Sequence, residues 1–178
     1  MPSAMGVTFR DAERSTAAAV RAARAPGLLL GIGLGGFVDG IVLHQILQWH
    51  HMLSSEDSYP DTTLGGLEDN TLADGLFHAA TWLTVATGLW FLWRRSTDWR
   101  STISGRGVVG WMLVGWGLFN LVEGIVDHHI LGVHHVREGD NQTAWDLAFL
   151  AFGALLVIAG WLLGRPRDTR RLVGTRSA

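Results

Sequence analysis

Among its 178 residues the chain has no cysteine, no lysine, one tyrosine and four prolines, and only 17% of it is charged. Each shortage removes a class of chemistry. Without cysteine there are no disulfides, thiolate-bound zinc, iron–sulfur clusters, thiol nucleophiles or covalently attached c-type haem. Without lysine there is no Schiff-base catalysis. No phosphate-binding loop, nucleotide signature or nucleophilic triad stands in their place. A soluble domain carries about a quarter charged residues. Here the deficit accompanies 23 glycines, 9 tryptophans and 48% hydrophobic residues. That balance describes a membrane protein, and it argues against a nucleic-acid binder and a soluble enzyme.

What the chain does have is four long apolar runs, near residues 27–53, 72–93, 107–136 and 143–164. About 20 apolar residues cross a bilayer, so all four suffice, and the first and third are expected to tilt or project beyond it. The first run lies late and carries Asp39 and His44, which is unlike a cleavable signal peptide. Arginine placement gives a direction. Arg10, Arg14, Arg21 and Arg24 precede the first run; Arg94, Arg95, Arg100 and Arg106 separate the second from the third; Arg165, Arg167, Arg170, Arg171 and Arg176 follow the fourth. The other two loops hold Arg137 alone, among Glu56, Asp57, Asp61, Glu68, Asp69, Glu138 and Asp140. The positive-inside rule therefore puts both termini and the middle loop in the cytoplasm. Residues 1–25 and 165–178 read as Arg-rich cytoplasmic tails around a membrane domain at 26–164. Gly31 with Gly35, and Gly36 with Gly40, have the small-xxx-small spacing of closely packed membrane helices.

The chain is also duplicated. Asp-Gly-Ile-Val-Leu-His-Gln-Ile-Leu-Gln-Trp-His-His, Asp39 to His51, aligns without a gap on Glu-Gly-Ile-Val-Asp-His-His-Ile-Leu-Gly-Val-His-His, Glu123 to His135. Further on, Thr71 and Asp74 match Thr143 and Asp146. The expected fold is all-α: a polytopic four-helix bundle of two tandem helical hairpins, repeat one at 27–93 and repeat two at 107–164, about a pseudo-twofold along the membrane normal. Ionisable residues inside a span are costly, yet acid and histidine occupy matching places in both copies.

All eight histidines, His44, His50, His51, His78, His128, His129, His134 and His135, avoid the tails and the Arg-rich middle loop. On a straight α-helix His44 and His51 share a face, as do His128 and His135. The doublets are then expected near the outer interface, with His44, His128 and His78 converging roughly 10 Å deeper. Neutral imidazole is the commonest metal ligand. Carboxylates supply charge and orient the rings. All eight histidines are thus candidate ligands, with Asp39, Glu123, Asp127, Asp74 and Asp146 as bridging, orienting or proton-carrying groups. A sulfur-free N/O donor set suits iron, copper, zinc or manganese.

The segments Asp39-Gly40 through His51 and Glu123-Gly124 through His135 resemble an uncharacterised family of bacterial four-span membrane proteins, described as a domain of unknown function. The resemblance implies a membrane fold and no activity. A looser similarity to membrane di-iron desaturases and hydroxylases is one of chemistry only, since the interval from His129 to His134-His135 is wider than their usual spacing.

The favoured reading is an integral membrane metalloprotein with one or two transition-metal ions in the outer half of the bundle. A dinuclear iron or copper centre comes first, with zinc open. If it turns over, it is a metal-dependent membrane oxidoreductase. The alternatives are metal acquisition or delivery to an extracytoplasmic partner such as a respiratory oxidase, a bis-His b-type haem protein, and a proton or cation relay. Beyond the lipid bilayer, a respiratory-chain or metal-trafficking partner and a homo-oligomer stay open.

Overall fold

The structure is a computed structural model and describes residues 9–97 and 102–166. Arg100, the first eight residues and the tail from Arg167 lie outside the described residues, as do the expectations placed on them.

The described chain is helical, with no strand. Its elements are α1 (Phe9–Val38), α2 (Leu64–Ser96), α3 (Gly105–Glu123) and α4 (Gln142–Gly164). α1 runs on as a π-helix over Asp39–Ile46, and α3 as a π-helix over Gly124–Leu131. All four are long and apolar enough to cross a membrane.

α1 starts well before the first apolar run, and Ala19, Val20 and Ala23 of the segment read as a tail are buried. It passes unbroken through Pro26. Proline has no N–H for the carbonyl four residues back, and that carbonyl, of Ala22, accepts instead from the Arg95 guanidinium at the end of α2. Thr63 and Ser104 start α2 and α3 by accepting from the backbone N–H of Gly66 and Gly107, as N-cap hydroxyls do.

α1 and α3 form the central pair; α2 packs on α1, and α4 on α3. Half of the α1 span and 39% of the α3 span are buried, against 11% for α2 and 17% for α4. The outer helices therefore turn most of their apolar surface to lipid. The central crossing depends on glycine. A Cβ on Gly31 would lie 2.0 Å from the Met112 carbonyl oxygen, and one on Gly115 would lie 2.2 Å from that of Leu28. Gly31 and Gly115 occupy equivalent places in the two repeats, so the backbones meet where the pseudo-twofold crosses the bundle.

The π-helical ends position the site. In both copies the chain leaves the helix identically: Trp49 N–H donates to Leu43 O, and Val133 N–H to Asp127 O. The residues just before these, Gln48 and Gly132, are left-handed, with φ of 48° and 63°. The helices thus stop at Ile46 and Leu131, short of the expected 53 and 136. Both His doublets lie on the segments that turn back. Asn70 pins the first of these loops: its Oδ1 accepts from Leu53 N–H, and its Nδ2 donates to Tyr59 O and Gly66 O.

Candidate metal centre

Because the chain turns back, each doublet packs beside the histidine of its own helix. The ring centroids of His44 and His50 are 4.4 Å apart, and those of His128 and His134 are 4.9 Å apart. The depth step of roughly 10 Å expected from straight helices is absent, since the π-helix ends and the left-handed residue reverse the chain within one turn. His50 and His134 stack on each other at 4.7 Å, with planes 1° apart, and join the two repeats.

Two groups result. Asp39, His44 and His50 offer ligand atoms mutually within 4.8 Å, and so do Glu123, His128 and His134. The groups correspond residue for residue in the duplication, and all six residues are buried. The Asp39 and Glu123 carboxyls reach one another across the interface, and Asp127 lies within electrostatic range of Asp39 and His134.

Around this core, two aspartates on the outer helices play matching parts. Asp74 Oδ1 accepts from His44 Nδ1 at 2.9 Å and from Met52 N–H at 3.0 Å, while Oδ2 accepts from His51 Nδ1 at 2.7 Å. Asp146 Oδ1 accepts from Val136 N–H at 3.0 Å and lies 3.3 Å from His128 Nδ1, and its Oδ2 accepts from His135 Nδ1 at 2.7 Å. His51 and His135 are therefore held at the rim, each sharing an aspartate with a core histidine. The remaining orienting bonds cross between repeats: His50 Nδ1 donates to Val136 O at 2.9 Å, and His134 Nδ1 to Met52 O at 3.2 Å.

His78 and His129 stand apart. His78 Nδ1 donates to the Asp74 backbone carbonyl, and the ring packs on Gly40; His129 Nδ1 donates to Gly124 O. The expected convergence of His78 with His44 and His128 does not form, because its Nδ1 is held by its own helix and its Nε2 edge lies against the Gly40 backbone. Every histidine thus has Nδ1 facing a carboxylate or backbone carbonyl. Such oxygens accept, so Nδ1 carries the hydrogen wherever it is bonded; His44 also has Nε2 3.0 Å from Asp39 Oδ2, so both of its nitrogens face carboxylates.

Several core atoms are buried with no hydrogen-bond partner: Asp39 Oδ2, His44 Nε2, His50 Nε2, Glu123 Oε2, both ring nitrogens of His128, and His134 Nε2. Asp39 Oδ2 and His44 Nε2 lie 3.0 Å apart, yet they are misaligned for a hydrogen bond. The His128–Asp146 pair is likewise close without being bonded. Buried polar atoms nearly always find partners, so seven orphans in one place call for a ligand. On the loop segments, burial holds the His50 pKa down at about 3 and lowers that of His134. Both shifts favour the neutral ring, the form that ligation requires.

Phe77 stacks on His44 at 5.8 Å, Phe149 lies 5.5 Å from His128, and Phe119 continues from Phe77, flooring the site on its deep side. Trp49 packs on Trp145 at 5.2 Å, with the Arg137 guanidinium beside both rings. Of these partners, sequence reasoning picks out Trp49, Trp145 and Arg137, but not the three phenylalanines. Phe77 and Phe149 could have been found, since they share the repeat spacing of Asp74 and Asp146. The Met52 and Val136 carbonyls carry no side-chain signal at all.

Residues 26–167 match the family model described as "Predicted membrane protein (DUF2243)". No curated protein and no solved structure matches the chain. The chain belongs to the DUF2243 family, a family of membrane proteins without an assigned activity.

Proposed function

We propose that this membrane protein binds two transition-metal ions, one in each His/carboxylate group, and uses them in redox chemistry. The observation that carries the reading is the convergence of seven buried, unpartnered N and O atoms on two duplicated groups. Each group supplies two imidazoles and one carboxylate. That donor set, with positions left open, is typical of non-haem iron(II) centres. Copper is second and zinc third. Asp39 and Glu123, side by side, would balance the charge of adjacent cations. The fixed Nδ1 hydrogen bonds orient the rings as they do around bound metals generally.

A second reading is metal acquisition or delivery to an extracytoplasmic partner. The partly exposed rim histidines His51 and His135 favour it, because each shares an aspartate with a buried core histidine. A haem reading uses two imidazoles and leaves the paired carboxylates idle. A metal-free proton relay leaves the repeated three-ligand geometry without a purpose. By its arginine distribution the protein lies in a bacterial plasma membrane, termini inward and metal groups toward the outer face.

The test is elemental analysis and an absorption spectrum on detergent-purified protein, beside a His44→Ala/His128→Ala variant. Two ions per chain, absent from the folded variant, support the reading. Iron or copper at fixed stoichiometry favours redox chemistry, whereas zinc that exchanges readily with chelator favours handling. A metal-free wild type that resists reconstitution overturns both.

A further inference from the structure

The orienting hydrogen bonds do not respect the boundary between the two groups. Asp74 holds His44 of the first group directly. The same Oδ1 anchors the N–H of Met52, and the carbonyl of Met52 holds His134 of the second group. Asp146 does the converse. It lies against His128 of the second group and anchors the N–H of Val136, whose carbonyl holds His50 of the first. Two carboxylates thus flank the four core imidazoles: Asp74 bonds His44 and Asp146 lies 3.3 Å from His128 without a hydrogen bond, and each holds a second ring through a single residue of backbone.

We infer that Asp74 and Asp146 are positioning residues for both metal groups at once, each aligning a ligand in its own repeat and a ligand in the other. The inference rests on the metal reading above and specifies how that site is built. A ligating imidazole needs its second N–H held by an acceptor, which fixes the tautomer and the ring plane. For His50 and His134 the acceptor is a carbonyl of the opposite repeat, and nothing on their own repeat replaces it. His134 is fully buried and its Nε2 is unpartnered. Once the Met52 carbonyl moves, its ring is free to turn, and it would take the stacked His50 ring with it. The parallel rings are the shared wall of the two groups, so a change in either plane re-aims a ligand on each side. Neither hairpin can build a finished site alone.

Asparagine at position 74 breaks the chain of support in a defined way. Its amide keeps one acceptor oxygen. If that oxygen stays on His44 and Met52, the NH2 group meets the His51 N–H donor; if it turns to His51, the NH2 group meets the Met52 N–H. Only the second orientation frees Met52, so Asp74→Ala, which keeps no acceptor, is the decisive variant: Met52 loses its anchor although no atom of the second group has been changed. Asp74→Glu, which keeps both acceptors on a longer stem, is the conservative companion.

The experiment has a metal-free and a metal-bound arm, both on the full chain in nanodiscs. In the first, 15N-histidine NMR compares wild type, Asp74→Ala, Asp74→Asn and Asp74→Glu. The expected result is that Asp74→Ala shifts the ring nitrogens of His134 as well as those of His44 and His51, with Asp74→Glu closer to wild type. In the second, Co2+ is titrated into the His44→Ala background, where only the second group is complete. Adding Asp74→Ala there should change the visible Co2+ spectrum and weaken binding about 10–100-fold, the usual effect of losing an orienting partner. A His134 resonance and a second-group Co2+ spectrum that are both untouched by Asp74→Ala would overturn the inference, leaving two independent sites. Wild type that binds no Co2+ would overturn the metal reading instead, with the NMR arm still reporting the hydrogen-bond chain.

Discussion

Adding one methyl group at Gly31 should do more damage than its size suggests. The new Cβ would lie 2.0 Å from Met112 O, 2.7 Å from Met112 C and 2.8 Å from Trp116 N. Ordinary contact starts at 3.4 Å, so the clash is roughly 1.4 Å deep, and a backbone obstacle cannot rotate away as a side chain does. α1 and α3 must part at their crossing. Overpacking costs about 1–3 kcal/mol when neighbours can yield, so Gly31→Ala should fall at the upper end, about 3 kcal/mol. Gly115→Ala, with its Cβ 2.2 Å from Leu28 O, should cost about the same. The two methyls press on one crossing, so the double variant should lose well under the sum, because helices already parted for one admit the other. Unfolding in mixed micelles measures these differences. Gly75→Ala is the control: nothing lies within 4 Å of its Cβ, and replacing a helical glycine with alanine gains up to about 1 kcal/mol. Gly31→Ala unfolding like Gly75→Ala would refute the backbone contact. So would strict additivity of the double variant.

Three further outcomes follow from the geometry. Gln48 holds a left-handed conformation that its twin Gly132 adopts freely, so Gln48→Gly should stabilise and Gly132→Gln destabilise, each by about 1 kcal/mol in chemical unfolding; equal signs would contradict the assigned φ values. Asn70→Ala strips three hydrogen bonds from a fully buried side chain and should cost about 1–3 kcal/mol, with protease cleavage of the 53–63 loop rising in step; unchanged cleavage would count against the pin. Chelator treatment of metal-loaded protein should remove about 2.7 kcal/mol of stability if loading was at 100 times the dissociation constant, seen as a lowered melting temperature; no shift in protein shown to carry metal would place the ions outside the core.

The four spans and the duplication were legible because they rest on long-range composition and on identity between copies. The matching of Asp74 with Asp146 was legible for the same reason, and the structure gives the two aspartates equivalent bonds. What sequence could not supply was the end of the first and third helices. A π-helix has no composition of its own, and Asp39–Ile46 is as apolar and as continuous as the α-helix before it. Counting in α-helical turns therefore paired His44 with His51, when the reversal at Gln48 brings His50 against it. Gly132 carries the ordinary mark of a helix end, but Gln48 hides the same turn in the other copy. The partners of His50 and His134 were out of reach for a different reason. They are backbone carbonyls more than 80 positions away, and any residue at 52 or 136 would present one.

The reciprocal bonds from His50 to Val136 and from His134 to Met52 have the form of an isologous contact, in which two identical protomers exchange the same pair of interactions about a twofold. The interior of this single chain is thus built as a dimer interface. Joining the protomers in one polypeptide fixes their stoichiometry and frees each from having to suit a copy of itself. The chain has used that freedom in places the ancestral symmetry would have forbidden: Asp39 against Glu123, Gln45 against His129, His78 against Leu150. Two polypeptides divided between residues 97 and 102 should still find each other in the membrane and form a one-to-one complex, whereas either half paired with itself would duplicate only one of these choices. A mixed pair recovered in a co-expression pull-down well above the half share that random pairing gives would show how far the halves have specialised; a mixed share of one half would show that they have not.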